Sequence, residues 1–188
     1  MALPKSIGAG DIHAAIARLA SAIAERHAAT PGRLLLLGIA NGGIVLARRL
    51  AAALADRGLP SAPAFGTVDI SFHRDDFARN PIPKEFAPTH IPVDVDRATV
   101  ILVDDVLFSG RTVKAALDEL FDHGRPTKVE LAILADRGGR RLPVSADYCG
   151  LVIAAGETEK VVVRLDPADP ALDAIRIEPA GSGRRSAT

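Results

Sequence analysis

Two adjacent aspartates, Asp104 and Asp105, follow the apolar run 100–103 and precede a Ser-Gly-Arg-Thr segment at 109–112. The apolar run is rich in β-branched residues, which predicts a buried strand that stops at the two carboxylates. Apolar residues recur with helical period from Val113 onward, so the stretch predicts a strand, a tight polar loop and a helix. In an open α/β sheet, ligands bind at the carboxyl ends of strands, where this loop would lie.

The polar loop has the groups that a sugar phosphate needs. Gly110 allows a close backbone approach, Ser109 and Thr112 offer hydroxyls, and successive amide groups at a helix N-terminus can hold a phosphate. Asp104 and Asp105 would repel a phosphate, so they more plausibly hold sugar hydroxyls or a hydrated Mg²⁺ beside it. The alternative is a solvated strand end followed by an ordinary helix cap.

A second candidate loop follows the apolar strand predicted at 34–39. It consists of Ala40, Asn41, Gly42 and Gly43 and leads into a helix predicted to end near Gly58. Two glycines between a strand and a helix suit an anion site, although a simple tight turn has the same pattern. Ile44 and Val45 stand where a Walker A motif has Lys and Ser or Thr, so the segment is not a P-loop.

A third candidate region begins where the strand predicted at 67–72 runs into Arg74, Asp75 and Asp76. The following stretch, 77–92, contains four prolines and shows no period. A loop this long inside a compact domain is usually functional or disordered, and the alternative is an inert surface excursion.

The remaining pattern alternates strands and helices, which predicts an α/β fold. A first amphipathic helix is predicted over 11–27 with Asp11 as its cap, and further strands are predicted at 129–135 and 161–165. We expect a single domain over residues 1–178 and a disordered tail over 179–188.

The composition is that of an ordinary globular protein, with 48 % hydrophobic and 24 % charged residues in 188. Lys and Arg total 23 and balance 23 Asp and Glu, so no global charge favours nucleic acid. A single cysteine, Cys149, excludes an intrachain disulfide framework, and the five histidines are interpreted as surface or loop residues. No membrane-length apolar run or secretory leader is evident, and we expect a cytoplasmic protein.

The stretch 100–112 resembles the phosphoribosyl-pyrophosphate (PRPP) loop of type I phosphoribosyltransferases. The resemblance implies a mostly parallel sheet flanked by helices, a small hood, and a flexible loop that closes over the substrates. It implies that Mg²⁺ is the cofactor, that Asp104 and Asp105 have the catalytic and metal roles, and that the pyrophosphate loop is Ala40, Asn41, Gly42 and Gly43. The implied PRPP contacts are Asp104, Asp105, Val106, Leu107, Phe108, Ser109, Gly110, Arg111 and Thr112, and the implied flexible loop contains Arg74, Asp75 and Asp76.

Several stretches narrow the resemblance to the PyrR family of uracil phosphoribosyltransferases and pyrimidine-operon attenuators. They are 69–76, 100–112, 124–126, 136–138, 142–143 and 146–148. The resemblance implies conversion of uracil and PRPP to UMP and pyrophosphate, with Asp136, Tyr148 and Val152 in the base-binding segments. Two alternatives stay open from the residues alone: Asp136 as an ion-pair partner of Arg137, and Tyr148 as a packing residue.

The chain also departs from that family. Asn41-Gly42-Gly43 replaces the usual Thr-Arg-Gly of the pyrophosphate loop, which leaves a purine base as an alternative substrate. Basic and polar residues typical of RNA-binding members are replaced at several positions, so mRNA attenuation is the less favoured alternative. Those positions are Ala17, Ser21, Gly139, Ser145 and Leu151, whereas Arg137, Arg140 and Arg141 still form a basic cluster in the sequence. The family implies self-association as a dimer or higher oligomer.

Overall fold

The fold is a parallel five-stranded sheet with helices on both faces and a small antiparallel sheet beside it. The computed structural model describes residues 6–29, 33–71 and 88–180. Its helices are α1 (Ala9–His27), α2 (Gly42–Ala55) and α3 (Arg111–Asp122). Its strands are β1 (Ser6–Ile7), β2 (Leu34–Ile39), β3 (Ala64–Val68), β4 (Thr99–Leu107), β5 (Lys128–Asp136), β6 (Tyr148–Val152), β7 (Glu159–Arg164) and β8 (Ala174–Pro179).

The main sheet has the order β3-β2-β4-β5-β6, and all of its strand pairs are parallel. Every residue of β2 is buried because helices cover both faces of the sheet. Helices α1 and α2 pack on one face, and α3 packs on the other. This arrangement brings the carboxyl ends of β2 and β4 side by side, and a polar loop follows each of them.

The second sheet has the order β1-β8-β7 and is antiparallel; we call it the hood sheet. Its buried Val161 and Ile175 belong to the same apolar core as α1 and α2. Polar contacts converge on the buried Asp173, whose carboxylate accepts hydrogen bonds from Arg49 on α2 and His13 on α1. The hood sheet is therefore fastened to both helices on that face of the main sheet.

The α/β fold class is confirmed, and several local predictions need correction. Helix α1 begins two residues before Asp11, which lies in its first turn, and Gly8 occupies the capping position. Strand β8 was not predicted, and it includes Pro179, which the sequence assigned to the tail. The rest of that tail from residue 181 onward lies outside the described residues. Among the described residues, no helix is long and apolar enough to cross a membrane.

Candidate active site

The two aspartates lie inside β4, because the strand continues past them to Leu107. The prediction that the strand ends at 103, before the carboxylates, is therefore wrong by four residues. Asp104 is only 6 % exposed, and Asp105 is partly buried. Burial raises the pKa of the Asp104 carboxyl well above its usual range, and the neighbouring Asp105 raises it further. Burial also raises the pKa of Asp105.

No cation in the described part of the chain compensates this acidic pair. Every ion pair between described residues involves other carboxylates. The backbone N–H of Asp105 donates to Asp104 Oδ1 at 2.9 Å, which is a weak substitute for a counter-charge. Two oxygen-donor side chains with uncompensated buried charge fit a divalent cation such as Mg²⁺, which binds one or two carboxylates together with substrate oxygens and water. No group of three or more metal-ligating side chains occurs among the described residues, so the protein would provide only part of such a coordination shell.

The predicted pyrophosphate loop lies directly against the acidic pair. A Cβ atom built on Gly42 would lie 2.4 Å from Oδ2 of Asp105, and one built on Gly43 would lie 2.0 Å from the carbonyl oxygen of Val103. Gly43 therefore excludes any side chain, because its neighbour is backbone, whereas a side chain at position 42 would displace the carboxylate of Asp105. The loop begins with a cis peptide between Ala40 and Asn41, and α2 starts at Gly42, so the amides of its first turn lie beside the carboxylates.

The predicted PRPP loop forms the turn between β4 and α3. Gly110 has φ of +90°, which favours glycine, and α3 begins at the next residue. Ser109 Oγ accepts a hydrogen bond from the backbone N–H of Arg111 at 3.3 Å, and the Thr112 side chain is exposed. Leu107 points into the core, so only its backbone is available to a ligand. The acids, the glycine-lined loop and the first turn of α3 thus lie at the same end of the sheet.

Two of the three predicted base-binding residues lie at the same end of the sheet. Asp136 ends β5 and pairs in register with Val152 at the end of β6. Val152 is 85 % exposed, which leaves an apolar side chain open to a planar ligand. The Asp136 carboxylate is already occupied: Oδ1 accepts from the Gly138 amide at 2.8 Å, and Oδ2 accepts from Arg140. The ion-pair alternative for Asp136 thus describes the structure, with Arg140 rather than Arg137 as the partner.

The role predicted for Tyr148 is corrected. Tyr148 begins β6, pairs with Ala132 and is 5 % exposed, so its ring cannot stack on a base at the carboxyl end of the sheet. Its hydroxyl donates to Glu130 at 2.7 Å, and Glu130 is also within hydrogen-bond distance of His27 Nε2 at 2.8 Å and Lys128 Nζ at 2.6 Å. We call Glu130 and these three partners the Glu130 cluster. His27 is buried in it, which also corrects the prediction that all histidines lie on the surface.

The predicted flexible loop is described only in part. Arg74, Asp75 and Asp76 lie outside the described residues. The end of the segment is ordered against β3, where Thr67 and His90 exchange two backbone hydrogen bonds of 2.9 Å. One feature of this region was not predicted. Residues 137–144 fold over the turn between β4 and α3, and the Arg140 side chain donates hydrogen bonds to the backbone of that turn. No local pattern indicated that contact, because its two sides are about 30 residues apart.

The geometry agrees with a family comparison. The family model for the phosphoribosyl transferase domain matches residues 8–167. The chain belongs to the phosphoribosyltransferase family. The fold agrees with solved structures as well: the hypoxanthine phosphoribosyltransferase of Trypanosoma cruzi has a TM-score of 0.66 and 22 % identity, and the match covers 92 % of this chain and 94 % of that one.

Curated relatives refine the family. The chain is 44 % identical over 176 residues to the bifunctional protein PyrR of Leifsonia xyli subsp. xyli, a match that covers 92 % of this chain and 94 % of the relative. It is 47 % identical over 163 residues to the bifunctional protein PyrR of Corynebacterium glutamicum, covering 85 % and 84 % of the two chains. The predicted similarity to PyrR among type I phosphoribosyltransferases is confirmed.

Proposed function

We propose that this phosphoribosyltransferase transfers the ribosyl phosphate of PRPP to uracil, giving UMP and pyrophosphate. The observation that carries the proposal is the pair Asp104 and Asp105, which no cation of the described residues compensates. The pair lies against the glycine-lined turn before α2, on the strand that leads into the turn before α3. One turn can hold the pyrophosphate and the other the 5′-phosphate, with the carboxylates facing the sugar between them.

The chemistry follows from this placement. As pyrophosphate leaves C1′, positive charge develops on the ribose ring, and a base nitrogen attacks from the opposite face. Buried carboxylates next to the ribose hydroxyls orient the sugar, and preorganised amides stabilise the charge of the leaving group without reorganisation. Mg²⁺ held by Asp104 and Asp105 would neutralise further charge on the pyrophosphate. The protein therefore contributes mainly position and electrostatics.

Uracil is proposed as the base because the relatives of high identity are PyrR proteins. The similarity to hypoxanthine phosphoribosyltransferases is at 22 % identity and supports the shared fold alone. At the base end, Val152 supplies an exposed apolar surface, and the edge of the base would be recognised by backbone groups, since the Asp136 carboxylate is occupied.

The test is nucleotide formation from PRPP and Mg²⁺, with uracil, hypoxanthine, guanine and orotate offered separately. We expect UMP from uracil and at most a small rate with the other bases. IMP or GMP as the main product would contradict the assignment of uracil while retaining the transferase. No product from any base would contradict the transferase in this chain.

A second candidate function is nucleotide-responsive RNA binding, which the word bifunctional in the names of the relatives favours. The contacts of Arg140 weaken the argument from the basic cluster, because the Arg140 side chain donates to carbonyls of the protein itself. Filter binding to a pyr leader RNA, with and without UMP and over a salt series, tests it. Salt-sensitive binding that UMP strengthens would support this activity, and salt-insensitive or absent binding would contradict it.

A further inference from the structure

Residues 137–144, which we call the cover segment, lie over the turn between β4 and α3 and use their backbone amides to hold it. The amide of Arg137 donates to the carbonyl of Leu107 at 3.1 Å. The amides of Arg141 and Leu142 both donate to the carbonyl of Ser109, each at 3.0 Å. The cover segment therefore bonds to the turn at both of its ends.

The Arg140 side chain fills the space between these backbone contacts. Its Nη1 donates to the carbonyl of Phe108 at 2.9 Å and to that of Leu107 at 3.3 Å. Its Nε donates to the carbonyl of Val144 at 3.1 Å, and its Nη2 pairs with the Asp136 carboxylate. The side chain is 24 % exposed. Only a planar guanidinium presents donors in several fixed directions, so no other residue type can make this set of contacts.

These contacts orient the peptide groups of the turn in one direction. The carbonyls of Leu107, Phe108 and Ser109 all accept from the cover segment, and that of Gly110 accepts from the Lys114 amide inside α3. In a trans peptide, the C=O of one residue and the N–H of the next point in opposite directions. The amides that follow the first three carbonyls, those of Phe108, Ser109 and Gly110, therefore point away from the cover segment, to the side on which an anion can bind.

We propose that Arg140 is a positioning residue for PRPP: it holds the carbonyls of the turn on the side away from the bound 5′-phosphate. This inference rests on the proposed function. The Phe108 carbonyl has Arg140 as its donor among the described residues. Without that donor, the Phe108–Ser109 peptide is free to rotate, and a rotated peptide would present a carbonyl oxygen to the phosphate in place of an amide.

The orientation of Arg140 also bears on the basic cluster of the sequence. Arg137 stacks on Phe108, with its guanidinium carbon 4.1 Å from the ring centroid, and donates to the Gly156 carbonyl at 3.1 Å. Arg137 and Arg140 are both bonded to this end of the sheet, so two of the three arginines serve the loop that the proposed function assigns to PRPP.

The test compares Arg140→Met and Arg140→Lys with a matched control, Arg125→Met. Arg125 also donates to two backbone carbonyls, those of Phe121 and Gly124, but at the far end of α3. For Arg140→Met we expect the KM for PRPP to rise by about 10- to 100-fold, with a change of less than about threefold in the KM for uracil. Arg140→Lys keeps the positive charge but lacks the planar set of guanidinium donors, so its KM values should resemble those of Arg140→Met. Arg125→Met should retain the wild-type values.

Two further measurements separate positioning from loss of structure. Calorimetric titration with PRPP and Mg²⁺ should show the same loss of affinity without turnover. Guanidinium ion added to Arg140→Ala should restore part of the PRPP affinity, which a misfolded variant would not allow. A folded Arg140→Met with wild-type affinity for PRPP, or an Arg140→Lys with full affinity, would overturn the inference and leave the proposed function intact. A wild-type chain that neither forms nucleotide nor binds PRPP would contradict both the inference about Arg140 and the proposed function.

Discussion

Two neighbouring strands of the main sheet each bury acidic side chains. The two sites differ in the donors around the carboxylates and in the direction of their pKa shifts. Glu130 near the start of β5 is 1 % exposed and lies within 3.3 Å of donors from Arg26, His27, Lys128 and Tyr148. Burial opposes its ionisation, but hydrogen bonds from Lys128, Tyr148 and His27 outweigh that effect and lower its pKa to about 2. Near the carboxyl end of the neighbouring strand β4, by contrast, burial raises the pKa of both Asp104 and Asp105.

This difference distinguishes a carboxylate that stabilises the fold from carboxylates that are able to bind a ligand. Protein donors surround the carboxylate of the Glu130 cluster and keep it ionised, so this charge stabilises the fold. The acidic pair keeps its capacity to bind a ligand, at a cost in stability that a bound cation or sugar can offset. Substitutions at the two sites should therefore have opposite effects on stability and activity.

The largest effect is expected from removal of the acidic pair. Asp104→Ala combined with Asp105→Ala should lower kcat/KM for UMP formation by at least about 10³-fold, because under the proposed function the sugar loses its orienting groups and Mg²⁺ its protein ligands. Initial rates over a range of PRPP concentrations, at saturating uracil and Mg²⁺, measure it, with Asp118→Ala as the control for loss of an acidic side chain. More than a tenth of the wild-type rate in the double variant would contradict the assignment.

Glu130→Gln should leave catalysis intact and destabilise the fold. A folded-state pKa of about 2, below the ordinary 4.5, stabilises the protein by about 3 kcal/mol at neutral pH. This contribution is complete above pH 4.5 and is lost as the pH falls toward 2, because the unfolded chain then binds the proton first. Urea unfolding followed by circular dichroism, at pH 7 and at steps below pH 4.5, measures the difference between variant and wild type.

The two outcomes for Glu130 are distinct. A destabilisation that shrinks with falling pH assigns the effect to the charge. A destabilisation of equal size at every pH would mean that packing, and not ionisation, explains it, and the contrast with the acidic pair would then fail.

Asp104→Asn should have the opposite sign in the ligand-free protein. A raised folded-state pKa means that the folded chain holds a proton that the unfolded chain has released, so stability falls as the pH rises above the ordinary value of 3.8. The amide removes this penalty, and Tm at pH 7.5 should rise by a few degrees, with little change near pH 4. Thermal denaturation over this pH range measures it. A lower Tm at pH 7.5 would show that the carboxylate is compensated after all.

The smallest effect on stability is expected from removing an exposed charge, that of Asp118. Asp118 accepts from Lys114 one helical turn away at 2.5 Å, and both side chains are exposed. Asp118→Ala should change the free energy of unfolding by no more than about 0.5 kcal/mol, since water screens the pair. Urea unfolding at two ionic strengths measures this. A loss as large as that of Glu130→Gln would mean that burial does not distinguish the sites.

Sequence reasoning located the candidate site because its signals are local. The strand, the glycine and the helix of residues 100–122 are consecutive, and their order alone predicts a turn at the sheet edge. The placement of Tyr148 failed because strand register, which local pattern does not determine, put it at the start of β6. Arg140 appeared only as part of a charge cluster, since its carbonyl partners lie on another strand. Strand β1 has two residues and no period to detect.

The pairing of β1 with β8 has a consequence for biosynthesis. Ser6 lies opposite Arg176, so the edge of the hood sheet joins the first described strand to the last. All five strands of the main sheet are complete in the sequence at Val152, but Val161 and Ile175 of the hood sheet belong to the same core as α1 and α2. Domains generally fold as units during synthesis. We therefore expect the core beneath α1 and α2 to stay incomplete in a nascent chain until β8 has left the ribosome and paired with β1.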